Sequence, residues 1–197
     1  MREFETGTDV MLARREGQVA VLTFNRPDAR NALHPETYVA FEKLLPQLAE
    51  DPQVGALMLT GAGGAFCAGG DVKGMNARNS GTAPTAASFE SNVDDLRQRQ
   101  RTVSAALQNF PKVTVAAIDG AAAGAGLSIA LACDLRVASP RAIFTTAFAK
   151  VGFSGDFGGS WFLTQLVGAA KARELYLTAD RFDALEALSS SSITLPT

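Results

Sequence analysis

The sequence predicts an α/β fold. Three observations carry that expectation: apolar, β-branched runs that read as buried strands, a helical stretch between the first two of them, and two glycine-rich turns that each follow a strand. The runs are Gln18 to Phe24 (QVAVLTF), Gly55 to Thr60 (GALMLT) and Lys112 to Ile118 (KVTVAAI).

Between the first two runs, Pro35 to Glu50 places Tyr38, Phe41, Leu44, Leu45 and Leu48 at helical spacing, with Pro35 suited to the first helical position. Strand, helix, strand is a βαβ pattern. Pro46 is expected to kink or shorten this helix, because its ring crowds the preceding turn and it donates no hydrogen bond. The second strand leads into the glycine-rich loop GAGGAFCAGGD, Gly61 to Asp71, and then a polar Ala/Ser/Thr-rich stretch from Arg78 to Ser88 that is expected to be mobile. Phe89 to Asn109 keeps Val93, Leu96, Val103 and Leu107 roughly on one helical face and ends before Pro111.

The third strand runs into a second glycine-rich turn, DGAAAGAG, and a helix of small residues through Ala132. Further strands are expected near Asp134 to Ala138 and Ala142 to Thr145, and helices at Gly158 to Val167 and Ala169 to Leu177. Residues 1–188 read as one core domain, and 189–197 (SSSSITLPT, with the preceding Leu188 closing the domain) as a disordered tail.

Composition narrows the function classes. The 197 residues carry a net charge of -2, with 47% hydrophobic and 19% charged residues, so the chain has a globular composition and no basic footprint for nucleic acid. Cys67 and Cys133 are the only cysteines and His34 the only histidine, which supplies neither a disulfide framework nor a metal site; no metal is expected. Apolar runs such as Ala121 to Ala132 are too short for a membrane span, and the charged start of the chain does not read as a secretory signal. A cytoplasmic protein is expected.

A strand, a glycine-rich turn and a helix start together expose backbone N–H groups at the positive end of a helix dipole. This chain does that twice, and two such donors converging on one point would form an oxyanion hole. Nucleotide readings fit poorly, since G-x-x-x-x-G-K-[ST] is absent and Gly124-Ala125-Gly126 lacks the third glycine of the dinucleotide fingerprint. Gly152-Phe153-Ser154-Gly155-Asp156 departs from the nucleophile elbow at its last residue. His34 reads as a helix cap and the two cysteines as small apolar fillers.

Four segments then stand out in order: NRPDARNAL (Asn25 to Leu33), GAFCAGGDVKGM (Gly64 to Met75), IDGAAAGAGLSIALACDLRVAS (Ile118 to Ser139), and Lys150 to Leu188. Together they resemble the enoyl-CoA hydratase/isomerase (crotonase) family over nearly the whole chain. The resemblance implies a crotonase-like spiral of ββα units, assembled as a trimer or hexamer, that binds an acyl-CoA thioester. It implies no cofactor beyond the coenzyme A of the substrate. Oxyanion donors would be the backbone N–H groups of Ala68 and Ala125. Ala29 and Arg30 would border the CoA nucleotide, and Gly69, Gly70, Asp71 and Gly124 would line the thioester channel.

Departures from the family pattern sharpen the expectation. Where hydratases of the family carry two glutamates, this chain has Ser128 and Phe148, neither able to exchange a proton usefully near pH 7; both would border the acyl group. Asp156 instead occupies a position where some isomerases and dehalogenases of the family place an acid, among Phe148, Phe153, Phe157, Trp161 and Phe162. Burial among these rings should raise its pKa, although a helix-capping role is the competing reading. Enoyl-CoA isomerisation is favoured over hydration, with a non-catalytic acyl-CoA-binding protein as the alternative. The family pattern continues beyond Glu186-Ala187-Leu188 with terminal helices, so a C-terminal truncation is expected.

Overall fold

The computed structural model describes residues 1–71, 89–190 and 193. The stretch from Arg78 to Ser88 expected to be mobile lies outside the described residues, as do 191, 192 and 194–197.

Two sheets carry the chain. The larger orders six strands as β1 (Arg2–Phe4), β2 (Met11–Glu16), β3 (Val19–Phe24), β4 (Ala56–Gly61), β6 (Val113–Ile118) and β8 (Leu135–Ala138). Its first three strands pair antiparallel and the rest parallel. The smaller sheet orders β10 (Phe182–Asp183), β9 (Ile143–Thr145), β7 (Ala121–Ala123) and β5 (Ala65–Cys67).

Three times the chain runs one strand in the large sheet, the next in the small sheet, and then a helix. β4 and β5 precede α2 (Phe89–Gln100), β6 and β7 precede α4 (Ala125–Ala132), and β8 and β9 precede α5 (Gly159–Thr178). This is the expected α/β spiral of ββα units. It brings the ends of β5, β7 and β9 side by side, so the turns leaving them share one region.

Helix α1 (Pro35–Glu50) buries Phe41, Leu44, Leu45 and Leu48 on the face that the spacing predicted. His34 is its N-cap and accepts the Glu36 N–H, as expected of a cap. Pro46 does not shorten the helix: it lies on the exposed face, where the Glu42 carbonyl it displaces can turn to solvent. The predicted helix from Phe89 is continuous in path but not in pitch. Past Gln100 it loosens into a π-helical turn, Arg101–Ala105, before α3 (Ala106–Gln108).

The two helices expected after Gly158 form α5, broken at Gly168, whose φ of 76° and ψ of 163° are not helical. The C-terminal expectation needs correction. Ser189 closes α6 (Ala184–Ser189) on an Asp183 cap, Ser190 donates to Ala187, and Ile193 is buried in the core, so disorder does not begin at Ser189. Among the described residues no helix is long and apolar enough to cross a membrane.

Candidate functional site

The turn after β5 and the start of α4 are pressed together because glycines stand where a side chain would collide. A methyl on Gly126 would run into the Cys67 carbonyl. One on Gly69 would lie 2.7 Å from the Ala123 oxygen and 3.1 Å from the Ala125 nitrogen. Gly69 and Gly124 also have φ of 87° and 51°, in the region that favours glycine. The second glycine-rich turn therefore delivers the α4 N-terminus beside the first.

Asn31 sets the first turn from below. Wholly buried, it donates to the carbonyls of Ala62 (2.9 Å) and Ala65 (2.7 Å) and accepts the Arg26 N–H at 2.8 Å. Arg26 also pairs with Asp71 at 3.3 Å. Ala29 ends a short 3-10 turn and Arg30 is exposed beside it, with Leu33 bridging to Gly70. Ala29 and Arg30 therefore lie near Gly70 and Asp71.

One expected donor is not available. The Ala68 N–H is bonded to the Arg30 carbonyl at 3.0 Å, because the Asn25 to Leu33 turn folds back over the end of β5. The Gly69 N–H approaches the buried Cys67 thiol. Among the described residues the Gly70 N–H has no backbone acceptor, and neither has that of Ala125, an orphan of the first helical turn.

On the other side, Ser128 is buried on α4 and Phe148 begins the 3-10 turn Phe148–Val151. Between them lies Tyr176 of α5, which sequence reasoning passed over. Its ring stacks on Phe148 with centroids 6.0 Å apart and planes 5° from parallel. Nothing local marks it, since an aromatic in a helix reads as ordinary core. Burial above all pushes its phenol up to about 12, a Ser128 hydrogen bond opposes that, and the Asp156 charge adds to it.

Asp156 sits in the loop before α5, in a strained run: Gly155, Phe157 and Gly158 have φ of 117°, 50° and 71°. For Phe157, a buried aromatic stacked on Tyr38, that conformation is costly. The capping alternative finds no support, since the α5 N-terminus has no side-chain cap and Asp156 Oδ1 is buried without a hydrogen-bond partner among the described residues. Burial raises the Asp156 carboxyl to about 6. Just beyond lies a cleft of about 310 Å³ between the π-helical turn and α5, lined in part by Ser104, Gln108, Phe157, Trp161 and Phe162.

Cys67 and Cys133 are buried, and burial pushes both thiols up to about 12, which makes them packing residues and not nucleophiles. Lys150 pairs with Asp180 at 3.8 Å on the surface, and buried Arg136 donates to the Cys133 carbonyl at 2.6 Å.

A model of the enoyl-CoA hydratase/isomerase family matches residues 14–191. The chain belongs to that family. As a member of the enoyl-CoA hydratase/isomerase family, it is 36% identical over 180 residues to a 1,2-epoxyphenylacetyl-CoA isomerase of Escherichia coli, covering 91% of this chain and 66% of that protein. A short-chain-enoyl-CoA hydratase of Clostridium acetobutylicum is 35% identical, with 90% and 65% covered. The solved structure of a putative enoyl-CoA hydratase from Streptomyces coelicolor superposes with a TM-score of 0.86 at 35% identity, over 95% of this chain and 66% of that one. The chain therefore spans about two thirds of the length of the relatives it matches.

Proposed function

We propose that this member of the family acts on acyl-CoA thioesters by stabilising an enolate, with Asp156 carrying the proton. The observation that carries this reading is the buried Asp156 Oδ1, which has no hydrogen-bond partner among the described residues, in the loop beside the buried Phe157. A carboxyl raised to about 6 by burial is a stronger base than an exposed aspartate and is largely ionised at neutral pH.

The thioester oxygen would accept from the N–H of Ala125 and, in place of Ala68, from the N–H of Gly70 across the Gly69 contact. Each such donor is typically worth about 2.7–4 kcal/mol in the transition state. Asp156 would take a proton from C2 of a 3-enoyl-CoA, the electron pair moving onto the thioester oxygen. Collapse of the dienolate with return of that proton to C4 yields the 2-enoyl-CoA. One proton leaves and one returns, so one carboxylate suffices. Hydration would need a water to be activated and an α-carbon to be protonated, and Ser128 and Phe148 offer no carboxylate for the second task.

The name of the Escherichia coli relative supports isomerisation, and that of the Clostridium relative supports hydration. Ala29 and Arg30 are proposed to border the CoA nucleotide, Gly69, Gly70, Asp71 and Gly124 the thioester, and Ser128 and Phe148 the acyl group. The scheme needs no cofactor beyond coenzyme A. A cytoplasmic trimer or hexamer is the proposed form.

The engaged Ala68 amide favours a second reading, acyl-CoA binding without turnover. Incubation with 3-enoyl-CoA and 2-enoyl-CoA separates the readings. Isomerase activity converts the 3-enoyl form in wild type and is lost in Asp156→Asn. Thermal stabilisation by both ligands without product would leave binding alone, and 3-hydroxyacyl-CoA as the main product would establish hydration.

A further inference from the structure

The run Arg97-Gln98-Arg99-Gln100-Arg101 sets arginines on alternate residues, and the structure engages the first two of them. Arg97 pairs with Asp94 at 3.2 Å, while Arg99 reaches Asp95 at 4.0 Å and lies over the Tyr38 ring at 5.1 Å. Arg101 has neither an ion pair nor a hydrogen bond among the described residues. It opens the π-helical turn and, together with Ser104, Ala105 and Gln108, lines the cleft of about 310 Å³ beyond Asp156.

The wall that α5 and its preceding loop supply differs in kind. Phe157 and Phe162 are buried, and the exposed Trp161 meets Phe162 edge to face with centroids 5.2 Å apart. Gln100 and Gln108 add side-chain amides beside Arg101, and among the described residues no carboxylate lines the cleft. Aromatic rings on one side and an unneutralised cation on the other suit a ligand that is apolar along its length and anionic at its end. A purely apolar acyl chain would use the rings and leave the guanidinium without a role.

We propose that this cleft takes the acyl group of a mono-CoA thioester of a dicarboxylic acid, its methylene chain against Phe157, Trp161 and Phe162 and its free carboxylate on Arg101. This rests on the reading of the protein as an acyl-CoA enzyme whose reacting carbons lie at Asp156. Because Arg101 is exposed, the ion pair itself adds little in water. Its larger effect is to spare the carboxylate from entering an aromatic cleft unpaired.

Adipoyl-CoA and hexanoyl-CoA have equally long acyl chains and differ in the terminal carboxylate, so they make the test. Titrating each and following Trp161 fluorescence gives the ratio of their dissociation constants, in which any damage to folding or to coenzyme A binding cancels. Wild type is expected to bind adipoyl-CoA about two- to fivefold more tightly, an advantage that shrinks with added salt. In Arg101→Gln the order should invert, with hexanoyl-CoA favoured by about tenfold or more, and Arg101→Lys should keep the wild-type order. A wild-type preference for hexanoyl-CoA, or a ratio unaltered in Arg101→Gln, overturns the proposal while leaving Asp156 as the base for other acyl groups. Binding of either ligand without a Trp161 response places the acyl group elsewhere and overturns it as well. Failure of both ligands to bind overturns the proposal and the acyl-CoA reading together.

Discussion

The charge of Asp156 bears on the phenol of Tyr176, and together with burial, the larger cause, it hinders that phenol from ionising. The reverse benefit is absent: Asp156 Oδ1 has no hydrogen-bond partner among the described residues, so nothing there offsets the cost of its charge. This asymmetry leaves Asp156 as the group in the site that titrates near neutrality, and Tyr176 as a neutral phenol.

The first consequence is kinetic. If Asp156 is the base, kcat/KM for a 3-enoyl-CoA rises with pH through an apparent pKa of about 6 and then levels. Asp156→Asn should lower kcat by at least about 10²-fold and remove that limb of the profile. A pH-rate profile of both proteins checks this, and an unchanged limb in the variant would assign it to another group.

Stability should move the opposite way. A carboxyl at about 6 when folded and near 3.8 when unfolded binds its proton more tightly in the folded state. Its relative stabilisation is therefore complete below pH 3.8 and is lost as pH rises through about 6. The interval corresponds to a ceiling of about 3 kcal/mol, which partial exposure lowers to about 1–2. Asp156→Asn should accordingly raise Tm by about 2–6 °C at pH 7.5 and leave it unchanged near pH 4, read by circular-dichroism melts.

Gly159→Ala sets packing against helix propensity. Propensity alone favours alanine by up to about 1 kcal/mol. The new methyl would meet Tyr176 Oη at 2.6 Å and collide with Ser128 Oγ, inside a buried contact. Net destabilisation of about 1–3 kcal/mol is expected in urea unfolding, together with loss of turnover.

Asn31→Ala removes three hydrogen bonds of a buried side chain and leaves φ of 58° to a residue that tolerates it poorly. A loss of about 3–5 kcal/mol is expected. Asn31→Gly should be less damaging by about 1 kcal/mol, since only the backbone part is relieved. Equal losses in the two variants would remove backbone strain from the account.

Trp161 offers a binding readout. It is the only tryptophan and is 57% exposed on the cleft beside Phe157. Its fluorescence should shift to shorter wavelength when an acyl-CoA fills that cleft, and should not respond to coenzyme A alone.

The strands β3, β4 and β6 and the helix α1 were legible because each satisfies itself locally: an apolar run long enough to be buried, or one face repeating at helical spacing with Pro35 at its start. The strands β5, β7 and β10 were not, since two or three residues of small or mixed character become a strand only when a partner pairs with them. Asp156 was legible as an acid set among aromatic residues, and Ser128 and Phe148 as positions that hold no acid.

What the sequence by itself determined is therefore the order of units, the glycines that let two turns approach, and the acid that stands among rings. Tertiary structure alone decided which amides remain open: Ala68 is closed by Arg30 from a turn far earlier in the chain, an event no local pattern records. It likewise decided that Tyr176 reaches Ser128, because that meeting depends on how α4 and α5 cross at Gly159. Backbone hydrogen bonds between distant segments and side-chain contacts between helices are properties of packing, and a linear pattern specifies only the faces that pack.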